Sequence, residues 1–319
     1  MVTAGLTVEA VVSHTPDAEV SIDDLAPRLG LTRPKVKLFR KIHGLDRLRL
    51  GDGGVEDLVA EPARRLLAGV DRDRVRFLVY AHTIQEVAPF GVPVAQRLGE
   101  RLGLANAIAF ALTQQNCAGG LAAIDVCGEL LADLGEPDAL AVVVTGEKAF
   151  SPLAQLIPNT AIMGEGSAAC LVRLAGDGEA SGDRVVSYAA RTDGRFADGL
   201  RLSPERLREF GDEYAQQLTG VVQTALDGAG LSLAEVSVIV PHNVNRSSWR
   251  RAIELLGVPE QAVFLDNIAE YSHCFCSDPF LNYTRLRALG RLQPGDHYVL
   301  TAVGLGATYA AMVLRHGKG

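Results

Sequence analysis

One cysteine stands in the stretch TQQNCAGG, where a polar run leads into Cys117 and small residues follow it. The apolar run AIAFALT comes just before and GGLAAIDVCGELLADLG just after, so Cys117 is expected between a buried strand and the first turn of a buried helix. At such a point free N–H groups and the helix dipole favour an anion, which activates a thiol as a nucleophile. The same N–H groups can hold a developing oxyanion. Small residues at 118–120 would let a substrate approach the backbone. The bland alternative is a buried cysteine that only packs.

Two further stretches could complete such chemistry. VIVPHNVNR places His242 just past a run expected to be a buried strand, on a loop opened by Pro241, with Asn245 three residues on. Active-site groups gather at such strand ends in α/β proteins, and an imidazole is the natural proton carrier for a thiol. A structural histidine would look the same. EYSHCFCSDPF packs His273, Cys274, Cys276 and Asp278 into six residues. Cys-x-Cys is a poor zinc spacing and no second ligand pair lies nearby, so no metal is expected. Asp278 could cap a helix beginning at Pro279, or orient a histidine as the acid of a Cys-His-Asp arrangement. AVGLGATYA lacks the following helix, strand and acid of a dinucleotide site. It reads as a glycine turn between strands, and MGEGSAA as another.

These residues need a scaffold, and the chain supplies a rhythm of buried strands and helices, twice over. VRFLVYA, AIAFALT, ALAVVVTG and GSAACLVRLA read as strands in the first half, with helices at VAQRLGERLGL and after Cys117. In the second half VSVIV, AVFLD, HYVLTAVG and ATYAAMVLRH read as strands. A long amphipathic helix opens at Ser203-Pro204, and further helices lie at SSWRRAIELLG and DPFLNYTRLRAL. Near the N-terminus, Ser21 and Asp23–Asp24 cap helices expected to break at Pro34. The glycine-rich, charged stretch GDGEASGDR marks the boundary between halves, which are taken as residues 1–177 and 178–319. The pattern is α/β.

Composition narrows the function. The 319 residues are 48% hydrophobic and 22% charged, with a net charge of −7. No basic block suggests nucleic acid. The densest basic stretch, residues 33–49, is broken by apolar positions and reads as a solvated helix face, or as a dock for an acidic partner. Residues 1–12 lack the basic start and apolar core of a secretion leader. No run approaches the ~20 residues of a membrane span. Five cysteines without a disulfide-framework spacing suit a reducing cytoplasm.

In order and spacing, NCAGG, GEGSAA, PHNVN and GLGAT resemble the motifs of the thiolase superfamily, specifically the ketoacyl-ACP synthase III group, over nearly the whole chain. That resemblance implies a five-layered αβαβα sandwich of two pseudo-twofold-related halves, usually a homodimer. It implies no cofactor beyond the substrate, an acyl thioester of acyl carrier protein or coenzyme A. Carried over by position, Cys117 becomes the acyl-accepting nucleophile and His242 the general acid/base. Asn245 supports the histidine loop. The oxyanion hole takes the Cys117 N–H and one from Leu305 or Gly306.

The departures are informative. Elongating members carry an asparagine in Gly-Asn-Thr, whereas here the stretch is Ser272-His273-Cys274. The His273-to-Asp278 spacing resembles instead an acyltransferase branch of natural-product biosynthesis, in which an aspartate completes a Cys-His-Asp triad. The expectation is therefore acyl transfer from Cys117 to a hydroxyl or amine, with Asp278 orienting His242. The alternatives are decarboxylative Claisen condensation using His242 and His273, and a non-catalytic dimer partner. A tryptophan that stacks on coenzyme A in some members is replaced by Leu38. A carrier protein then gains weight as donor, its acidic surface meeting Arg33, Lys35, Lys37, Arg40 and Lys41.

Overall fold

The structure, a computed structural model, describes residues 2–176 and 181–317. The boundary expected between residues 177 and 178 lies outside the described residues. In the first half the strands are β1 (Leu6–His14), β2 (Val75–Ala81), β3 (Ile108–Leu112), β4 (Leu140–Gly146) and β5 (Ser167–Leu174). The helices that concern the site are α1 (Arg33–Lys41), α2 (Val55–Leu66), α3 (Val94–Leu102) and α4 (Gly119–Leu134). The second half has strands β6 (Asp183–Thr192), β7 (Val236–Val240), β8 (His297–Gly304) and β9 (Thr308–Arg315). Its helices are α5 (Pro204–Ala229), α6 (Arg246–Leu256) and α7 (Asp278–Ala288).

Strand order reveals the internal symmetry. The first half runs β3-β2-β4-β5-β1 across its sheet. The second runs β7-β8-β9-β6, extended beyond β7 by a parallel bridge from Ile239 to Val263. Counting that bridge as the third strand of its half, both halves follow the order 3-2-4-5-1. The parallel and antiparallel pairings match as well. The run AVFLD, expected as a full strand, thus contributes a single bridge. β1 and β6 join the two sheets edge to edge through Thr7–Arg184 and Val8–Asp183.

The alternation of side chains builds five layers. Val79, Val143 and Cys170 face α4 and α7, and so do Val240, Leu300 and Met312 of the other sheet. The opposite faces take Tyr80, Val142 and Leu171 against α2 and α3, and Ile239, Val299 and Val313 against α5 and α6. The layers are therefore α2/α3, sheet, α4/α7, sheet, α5/α6. A helix between two sheets must be apolar on most sides, as GGLAAIDVCGELLADL is.

Four further elements depart from the sequence expectation. Strands β1 and β6 carry mixed polar and apolar side chains and gave no apolar run. Pro34 does not break a helix: it sits in the first turn of α1, where its missing N–H is no loss. Helix α2 contains Pro62 in its interior and was not foreseen.

Candidate active site

Cys117 lies on a short 3₁₀ turn, Asn116–Ala118, between β3 and α4, as the sequence suggested, and is 4% exposed. Asn116 adopts a left-handed φ of 49°, which asparagine tolerates, and this elbow turns the sulfur inward. Three contacts fix the elbow: Asn116 Nδ2 donates to the Leu305 carbonyl, its own carbonyl accepts from Cys276 Sγ at 3.1 Å, and the Thr83 hydroxyl lies 3.5 Å from Cys117 Sγ. Of the small residues after Cys117, Gly120 is required by packing. A Cβ on Gly120 would meet Phe280 Cε2 at 2.8 Å and the Cys276 carbonyl at 3.1 Å, so glycine lets α4 close on α7. The GLG turn does the same from the other half, since a Cβ on Gly304 would sit 2.1 Å from the Gln115 carbonyl. Gly164 of the GEG motif passes under the His273 loop and donates its N–H to the His273 carbonyl at 2.9 Å.

Both histidines share a cavity with Cys117, and His273 lies within hydrogen-bonding range of its sulfur. Their rings are 6.0 Å apart, centroid to centroid. Their partners differ. Asp278 binds His273 Nδ1 directly, while its oxygens also accept from the N–H of Asn243 at 2.6 Å and of Cys274 at 2.7 Å. No hydrogen bond joins Asp278 to His242 among the described residues. The expectation that Asp278 orients His242 is therefore overturned. The reason is local: the loop that delivers His273 runs straight into the turn where α7 begins, so Asp278 meets His273 before anything across the interface. Nor does Asp278 cap the helix, because no side-chain cap bond forms there.

His242 instead bonds the Tyr214 hydroxyl through Nε2 at 2.7 Å. Its carbonyl accepts from Trp249 Nε1 at 3.0 Å, which anchors the Pro241 loop to α6. The Thr301 backbone lies beside His242, but Nδ1 completes no well-formed hydrogen bond.

These partners push the two imidazoles apart. Burial alone would lower His273, but the charge of Asp278, followed by that available at Cys117 within hydrogen-bonding range, outweighs it and raises His273 to about 10. Burial first, then the positive charge of His273, hold His242 well below the usual histidine range. At neutral pH the site thus carries one imidazolium and one neutral imidazole. A pair so divided can supply an acid and a base at the same pH.

The cavity measures about 490 Å³. Its walls are apolar, with Leu202, Phe210, Val244 and Val303, and Ser248 and Arg251 belong to its lining. Leu305 also lines it, and among the described residues no backbone acceptor takes the Leu305 or Gly306 N–H. Asn245 is committed elsewhere: it caps α6 through Ser248 N–H at 2.7 Å and donates to the Thr160 carbonyl at 3.0 Å. Its supporting role is structural. Arg33, Lys37, Arg40 and Lys41 lie apart from the cavity, on the exposed face of α1 beside a shallow groove. Arg40 is tied to Asp23 and Asp46. The end of this segment reaches the cavity wall, where His43 contacts Ser247 Oγ at 2.7 Å and the Asn159 carbonyl at 3.0 Å.

Sequence reasoning missed Tyr214, Asn243, Thr83 and Glu147. Tyr214 gave no signal beyond its place four residues after Phe210 on an amphipathic helix. Asn243 sits inside PHNVN and was visible, but its bond to Asp278 crosses the molecule. Buried Glu147 accepts from the Thr83 and Ile84 N–H groups at 2.7 and 2.6 Å, and so holds Thr83 against Cys117. Its own burial, opposed by those bonds, raises it to about 7.

The chain is similar to several known proteins. The profile of the 3-oxoacyl-[acyl-carrier-protein] synthase III C-terminal region matches residues 226–316. The β-ketoacyl-[acyl-carrier-protein] synthase III of Pseudomonas aeruginosa PAO1 is 28% identical, over 96% of this chain and 95% of its own. Among solved structures, the FabH of the same strain superposes with a TM-score of 0.82 at 24% identity, covering 98% of this chain and 99% of that one. ChlB3, described as an acyltransferase, gives 0.85 at 20% identity, with 98% of each chain covered. The likenesses to solved structures show that the chain shares their fold. Residues 226–316 carry the similarity to the ketoacyl-ACP synthase III C-terminal profile, and nearly the whole chain is similar to the β-ketoacyl-[acyl-carrier-protein] synthase III named above.

Proposed function

We propose that the chain is an acyltransferase that loads an acyl group onto Cys117 and passes it to a hydroxyl or amine acceptor. The observation that carries this reading is the seating of Asp278 on His273, with His273 facing Cys117. Cys117 attacks the donor thioester, the oxyanion falls near the Leu305 and Gly306 N–H groups, and His273 protonates the departing carrier thiol. An imidazolium backed by a buried carboxylate suits that task. The low-pKa imidazole of His242 is then the group able to take the acceptor's proton. The donor is an acyl carrier protein or coenzyme A thioester, with α1 as the carrier's docking face, and no further cofactor is needed.

A homodimer belongs to the same proposal. β3 is an edge strand of sequence IAFAL, with no charge to guard it, and Ile108 on it is 65% exposed. Phe90 is fully exposed and Phe150 largely so. Such an open apolar edge calls for pairing.

Intact-protein mass spectrometry after exposure to butyryl-coenzyme A tests the reading. The wild-type chain should gain one acyl mass and Cys117→Ala none. An acylated Cys117→Ala chain would remove the nucleophile, and an unreactive wild type would favour a non-catalytic subunit. The presence of two histidines in one cavity with the sulfur keeps decarboxylative condensation as a second reading. Stoichiometric carbon dioxide release from malonyl thioesters would favour it over transfer.

A further inference from the structure

The pairing of His242 with a tyrosine is not used by the loading step. Tyr214 comes from the third turn of α5, in the outer layer, and reaches the reaction centre between Phe210 and Tyr309. Its hydroxyl is 2.7 Å from His242 Nε2 and the residue lines the same cavity as Cys117. The nitrogen that would otherwise face the cavity is therefore occupied by a phenol. We propose that Tyr214 is a catalytic residue of the second half-reaction, relaying the acceptor's proton to His242 and marking the subsite where a hydroxyl or amine binds. This rests on the functional reading above and names the residue that receives the acceptor.

The step balances. As the acceptor's oxygen or nitrogen bonds to the thioester carbonyl carbon, its proton moves to the Tyr214 oxygen while the Tyr214 proton moves to His242 Nε2. The carbon–sulfur bond then breaks, and its electron pair returns to Cys117 beside protonated His273. His242 releases its proton to water. During loading, His273 gives a proton to the departing carrier thiol and recovers it from water, so the cycle closes without a net change in the enzyme. Two features support the assignment. Burial holds the Tyr214 phenol well above its usual range, so it stays protonated until it relays. Among the described residues His242 has no carboxylate partner to hold it as a cation, which leaves it free to accept.

Single-turnover kinetics of Tyr214→Phe test this, with butyryl-coenzyme A as donor and ethanolamine as acceptor; hydrolysis by water serves as a second acceptor. Acylation of Cys117 should proceed at the wild-type rate. Decay of the acyl-enzyme to either acceptor should slow by ~10²-fold or more, the usual worth of positioned proton transfer. A solvent isotope effect on wild-type decay should shrink in the variant. Fluorotyrosine at position 214 keeps the shape of the side chain and should change the decay rate while sparing acylation. Unchanged decay in Tyr214→Phe, or equal loss in both half-reactions, would overturn the relay. A wild type that never acylates at Cys117 overturns the functional reading itself.

Discussion

Asp278 and His273 form the charged centre of the site, and both are buried to 2% exposure or less. A buried ion pair is costly to break because one charge is left without its partner. Asp278→Asn keeps the shape but, with a single acceptor oxygen, can keep only one of the bonds from the Asn243 and Cys274 N–H groups, and it removes the charge that holds His273 protonated. Acylation of Cys117 should fall by ~10²–10⁴-fold, in the manner of acid-to-amide changes in triads. Rapid-quench mass spectrometry measures it, and a variant acylating at the wild-type rate would show that the carboxylate is only structural. The same pair sets a pH dependence. His273 is raised in the folded state, so its contribution to stability is complete below the free-histidine value of about 6.5 and declines above it. It is lost as pH passes the folded value of about 10. Urea midpoints should therefore fall from pH 7 to pH 10 in the wild type, and more weakly in Asp278→Asn.

Glycines decide how closely the elements approach the sulfur. Gly120 faces the edge of the Phe280 ring, a side chain with some freedom to turn, whereas Gly304 faces the Gln115 backbone carbonyl. The two substitutions should therefore differ. Gly120→Ala overpacks the α4–α7 contact and should cost about 1–3 kcal/mol by urea unfolding. Gly304→Ala must displace backbone next to Asn116 and should both destabilise more and abolish Cys117 acylation. Equal effects would mean that the β8–β9 turn is free to move without disturbing the elbow. Helix α5 has a double role at this scale: its inner face packs on β6 and β9 through Leu218 and Val222, while Phe210 and Tyr214 nearer its start enter the cavity.

Among the described residues no helix is long and apolar enough to cross a membrane. The exposed apolar edge at β3 and the basic face of α1 are the two surfaces that ask for partners. Sedimentation should give twice the chain mass of 33.9 kDa, and Ile108→Arg should shift it toward the single-chain value. A wild type that sediments at the single-chain mass would refute pairing through this edge. Reversing Arg33 and Lys37 to glutamate should slow acylation from a carrier-protein donor while leaving a small-molecule thioester donor unaffected. Equal rates for both donors would leave α1 a solvated helix face.

The sequence by itself determined the local facts. Apolar runs of the right length specified most strands, a helix apolar on most sides specified the central layer, and NCAGG placed Cys117 at a strand-to-helix elbow. These signals live in contiguous residues, where burial on two faces leaves no freedom of composition. The strands β1 and β6 escaped because mixed polar and apolar side chains line them, and an edge-to-edge junction tolerates that. What only the tertiary structure decided was pairing. Asp278, His273, His242, Asn243 and Tyr214 come from distant parts of the second half, and the sequence could not say which imidazole took the carboxylate. That choice follows from how far a short carboxylate reaches across a packed interface, a distance that no spacing along the chain encodes.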